Sequence, residues 1–62
     1  MTTKQRVAAY MLTKDLSQQK FADLAGLSQN AVSRILRGIK PGPGVAIKLA
    51  AFFKLKPETL MK

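Results

Sequence analysis

The sequence predicts an all-α fold of five helices, and three observations carry that expectation. Apolar residues recur at helical spacing along most of the chain, Ser, Thr, Gly and Pro stand where helices start and stop, and no stretch alternates at the spacing of a strand. A length of 62 residues leaves room for one small core, so residues 1–62 are expected to form a single domain. Cysteine and histidine are both absent. Stability therefore has to come from apolar packing, and thiolates, imidazole bases and the usual zinc ligands are excluded.

In the first helix, expected over Thr3 to Thr13, Val7, Ala8, Met11 and Leu12 make one apolar stripe. Thr2 or Thr3 supplies the capping oxygen, and Lys14 with Asp15 forms a polar exit. Ser17 caps a short second helix, Gln18 to Ala25, in which Phe21, Leu24 and Ala25 fall at helical spacing before Gly26 stops it. Only Leu27 separates that glycine from Ser28, a second cap, after which Ala31, Val32, Ile35 and Leu36 repeat the pattern until Gly38. Residues Ile39 to Gly44 hold two of the three prolines and two of the four glycines, which predicts a loop, with Pro43 suited to a first helical turn. Val45, Ile47, Leu49, Ala50, Phe52 and Phe53 then make the richest apolar segment, so the fourth helix is expected to be the buried one. Pro57 opens one last helical turn. Phe21, Phe52 and Phe53 lie on apolar stripes and read as core, while Tyr10 fits either the core edge or the surface.

Eleven Lys and Arg against three acids give a formal net charge of +8, which points to a polyanionic partner. Nucleic acid and an anionic membrane surface both meet that demand, and composition does not separate them. No apolar run approaches the length of a membrane span, and Met1 to Leu12 lacks the apolar stretch and cleavage site of a signal peptide. A cytoplasmic location, in a bacterial or phage-infected cell, is the expectation. Asp15, Asp23 and Glu58 are too scattered for paired acid and base work or for a metal, so neither enzymatic activity nor a cofactor is expected. Lys4, Lys14, Lys48, Lys54, Lys56 and Lys62 read as a solvated, diffusely positive surface.

Two helices crossing steeply through a very short turn leave little room, which calls for a small Ala22, a permissive Gly26 and apolar Val32 and Ile35. With Gln18 opening the second helix as well, the stretch Ser17 to Gly38 resembles the helix-turn-helix of the lambdoid phage repressor and Cro proteins, the Cro/CI-type (XRE) family. The resemblance runs over nearly the whole chain, since Leu55 to Met61 is similar to the family's fifth helix. It implies a compact five-helix, lambda-repressor-like DNA-binding domain with the helix-turn-helix as its second and third helices. It also implies a transcriptional regulator, of repressor or Cro type, whose third helix reads a double-stranded operator in the major groove. Gln29 and Asn30 are then placed to present paired amide groups to adenine, Arg34 to reach guanine or fall back on phosphate, and Ser33 to read a base at close approach. Gln18, Arg37 and Lys40 are assigned to phosphates, the last with the backbone near Gly42 and Gly44. Many family members pair an Arg in the first helix with a Glu late in the third; those positions are Met11 and Leu36 here, so an apolar contact is expected to replace the ion pair.

Leu55, Pro57, Leu60 and Met61 offer either local packing or a small dimer patch, and the resemblance implies a weak homodimer, formed or strengthened on DNA through them. Two other classes of function compete with operator reading. A basic membrane-active peptide would share the charge, but such peptides become helical only on lipid, whereas capped helices predict cooperative unfolding in plain buffer. An interaction module of the same fold would have no use for Gln18, Gln29 and Arg34.

Overall fold

Helix starts follow the hydroxyl residues closely in the computed structural model, which describes residues 1–60. The five helices are α1 (Thr3–Lys14), α2 (Gln18–Ala25), α3 (Gln29–Leu36), α4 (Pro43–Phe53) and α5 (Pro57–Leu60). Thr2 caps α1 in a capping box: its Oγ1 accepts from the Gln5 amide at 3.1 Å while its own amide donates to Gln5 Oε1 at 2.9 Å. Ser17 Oγ accepts from the Lys20 amide at 3.2 Å and Ser28 Oγ from the Ala31 amide at 3.1 Å, so α2 and α3 begin where each serine relieves an unpaired donor. Helix α4 is started by Pro43 behind Gly42, with no side-chain cap.

The ends of α1, α2, α3 and α4 share one device. The amides of Leu16, Leu27, Ile39 and Leu55 donate back five residues, to Met11, Ala22, Arg34 and Ala50, at 2.9, 2.8, 3.1 and 2.8 Å. The residue before each has positive φ, namely Asp15, Gly26, Gly38 and Lys54. Each end is thus a left-handed cap followed by an apolar residue, which satisfies orphan carbonyls and turns a side chain back toward the core. Glycine was the expected stop at Gly26 and Gly38; Asp15 and Lys54 adopt the same conformation without it.

Val7, Phe21, Ala22, Ala25, Val32, Ile35, Ala46, Leu49, Ala50 and Leu60 form the core. Tyr10 belongs to its edge: its ring meets Phe21, Phe52 and Phe53 edge-on at 5.8, 5.1 and 5.7 Å between centroids. Met11 and Leu36 are half-buried against this core. Helix α1 packs on α3, α2 on α3 and α4, and α4 on α5, and Thr3 Oγ1 donates to the Leu60 carbonyl at 3.1 Å, tying α1 to α5.

Three expectations need correction. Ala8 and Leu12 do not share the buried stripe of α1, for Leu12 is 85% exposed. It lies about 140° around the axis from Val7, and the inward face is filled by Val7, Tyr10 and Met11 instead. Helix α4 is not buried all round: Ala46, Leu49 and Ala50 face in, whereas Ile47, Lys48 and Ala51 are exposed. Leu60 is 1% exposed and is part of the core, so it is not available to a dimer patch; Leu55 and Pro57 are half-buried, and Met61 lies outside the described residues.

Candidate nucleic-acid interface

Helix α3 divides cleanly by residue type. With successive residues about 100° apart, Gln29, Asn30, Ser33, Arg34 and Arg37 occupy one arc of about 140°, and Ala31, Val32, Ile35 and Leu36 the opposite one. Burial follows this division: Val32 and Ile35 are buried and Ala31 and Leu36 half-buried, while Gln29, Asn30, Arg34 and Arg37 are exposed and Ser33 is half-buried. The polar arc is thus anchored from behind by two β-branched side chains that set the rotation of the helix about its axis.

Around this arc the structure leaves positive and donor groups unoccupied. Among the described residues, no side-chain hydrogen bond engages Gln18, Gln29, Asn30, Arg34, Arg37 or Lys40. Gln18, half-buried, stands at the first position of α2, and neither α2, α3 nor α4 carries an acid in its first turn. Each of these N-termini is therefore free of a side chain that would repel an anion from the positive end of the helix. A cleft of about 260 Å³ separates α3 from the start of α4, and Ala31, Arg34, Lys40 and Gly42 are among the residues lining it. Arg34 and Lys40 meet at this cleft, so the region expected to read bases and the loop expected to grip the backbone form one continuous surface.

One contact beside the helix-turn-helix was not read from the sequence. Lys48 was assigned to the solvated surface, yet its Nζ donates to the Gly26 carbonyl at 3.1 Å, bridging α4 and the turn between α2 and α3. Only the sign of its charge was available as a signal, because the pairing joins residues 22 positions apart.

The described residues include no cluster of metal-ligating side chains and no helix long and apolar enough to cross a membrane. The family described as Helix-turn-helix matches residues 7–60, from the middle of α1 through α5. No curated protein and no solved structure matches the sequence. With five helices in this order and α2 and α3 joined through left-handed Gly26, the chain belongs to the helix-turn-helix family of Cro/CI (XRE) type, a family of DNA-binding regulatory domains.

Proposed function

We propose that this chain is a single-domain, non-enzymatic transcriptional regulator of Cro or repressor type, acting in the cytoplasm by occupying a double-stranded DNA operator. The observation that carries this reading is the polar arc of α3, exposed at Gln29, Asn30 and Arg34 and backed by buried Val32 and Ile35. In the mechanism, α3 lies in the major groove with its N-terminal end toward the base edges. The amides of Gln29 and Asn30 each offer a donor beside an acceptor, which matches N6 and N7 of adenine; Arg34 matches O6 and N7 of guanine, and Ser33 serves at close approach. Gln18 binds phosphate at the start of α2, Lys40 with the uncapped start of α4 binds a second, and Arg37 holds the backbone at the far end of α3.

Two subunits on a near-palindrome place their α3 helices about 34 Å apart, one turn of the duplex. In this reading the subunits approach through the accessible parts of Leu55 and Pro57, with Leu60 confined to the core. A salt titration against random duplex DNA, with sequencing of the fraction retained at the highest salt, tests the proposal. Enrichment of one near-palindromic motif is the expected outcome. Binding that falls steeply with salt and enriches nothing would leave only charge-driven association with the backbone.

A further inference from the structure

We infer that Lys48 is a positioning residue that sets the register of the reading helix by pinning the helix-turn-helix turn to α4; the inference rests on the operator-reading proposal. The carbonyl it holds, that of Gly26, lies three residues before Gln29, the first residue of α3. Gly26 is also the left-handed C-cap of α2, with φ of 72°, so the bond places a cation at the negative end of α2 and is charge-assisted. Helix α4, which carries Lys48 at its middle, begins at Pro43, directly after the Lys40–Gly42 segment assigned to phosphate. Pro43 and Lys48 are five residues apart, about 7.5 Å of rigid helix.

Helix α4 thereby acts as a strut: one end follows the backbone grip, and Lys48 fixes the turn that aims α3. Phe21 of α2 also meets the rings of Phe52 and Phe53 of α4, at 5.5 and 6.3 Å between centroids, on the inner side of both helices. The hydrogen bond from Lys48 adds a fixed orientation of the Gly26 carbonyl, and so of the turn, relative to α4. The stem of Lys48 also borders an open cleft with Leu24, Ala25, Gly26, Ala51 and Phe52, so its methylene groups have apolar company that a methionine retains.

Lys48→Met and Lys48→Arg separate positioning from simple charge. For the full chain and each variant, the affinity for the selected operator, the affinity for a scrambled duplex, the salt dependence of both and the thermal midpoint are measured. Positioning predicts that Lys48→Met lowers the ratio of operator to scrambled affinity by about threefold to tenfold, the range of one hydrogen bond. It also predicts a salt slope unchanged from wild type and recovery of most of the ratio in Lys48→Arg, which keeps a charged donor. A salt slope smaller by about one with the ratio intact would make Lys48 an ordinary phosphate contact and overturn the inference. A lower thermal midpoint with the ratio intact would make it merely structural and overturn it equally. If wild type itself prefers no sequence, the operator-reading proposal fails first and takes the inference with it, whereas a wild-type preference that Lys48→Met leaves untouched sinks the inference alone.

Discussion

The side chains that decide specificity in this account are few and sit on one exposed arc, which makes them separable by substitution. Arg34→Ala removes a bidentate donor that no side-chain hydrogen bond among the described residues engages, so it is expected to weaken operator binding by about 1 to 3 kcal/mol and relax preference at one base pair. Competition binding against single-base variants of the operator reads this directly; a uniform loss at all sequences would reassign Arg34 to the backbone. The orientation of Gln29, Asn30 and Arg34 was legible in the sequence because Val32 and Ile35 fix the phase of α3, and a fixed phase determines which residues remain outside. Leu60 stayed open between local packing and a dimer patch for the converse reason: in a four-residue helix there is no second turn of pattern to show which side is inward. Lys48 was illegible because its partner is a backbone carbonyl far along the chain, and no side-chain identity at Gly26 announces it.

Element ends carry most of the order in the fold, and they respond to backbone conformation more than to size. A Cβ at Gly26 would meet nothing within 4 Å, yet φ there is 72°. Gly26→Ala is therefore expected to cost about 1 kcal/mol from the left-handed backbone alone, with no steric share. Lys54 occupies the same region with φ of 59°, so Lys54→Gly should raise stability by about 1 kcal/mol at the C-terminus of α4. Urea unfolding of the two variants checks both signs, and a destabilised Lys54→Gly would show that the lysine side chain contributes more than its backbone strain. The caps at Ser17, Ser28, Gly26 and Gly38 could be read from residue type, since each residue has a specific reason to stand there. Those at Asp15 and Lys54 could not, because nothing in either side chain demands positive φ; the shared signal is the leucine that follows each, Leu16 and Leu55.

For the molecule as a whole, a chain of 62 residues has little stability to spare, and its core centres on Phe21, which is fully buried and touches the rings of Tyr10 and Phe52 edge-on. Phe21→Ala should remove about 3 to 5 kcal/mol, enough to abolish the cooperative thermal transition seen by circular dichroism. The five-helix order was legible from spacing and punctuation, while the inward faces of α1 and α4 were not, since apolar residues such as Leu12 and Ile47 stand on outward positions where spacing alone counts them as core. That arrangement leaves α3 presented on one side and the loop before α4 beside it, and the central claim is that these two parts do different work. Arg34→Ala and Lys40→Ala, compared for salt slope and for the ratio of operator to scrambled affinity, test it most directly. Arg34→Ala is expected to lose the ratio, and Lys40→Ala to keep it while its salt slope falls by about one. Equal losses on every sequence for both variants would contradict the account, leaving a positive surface that holds DNA without reading it.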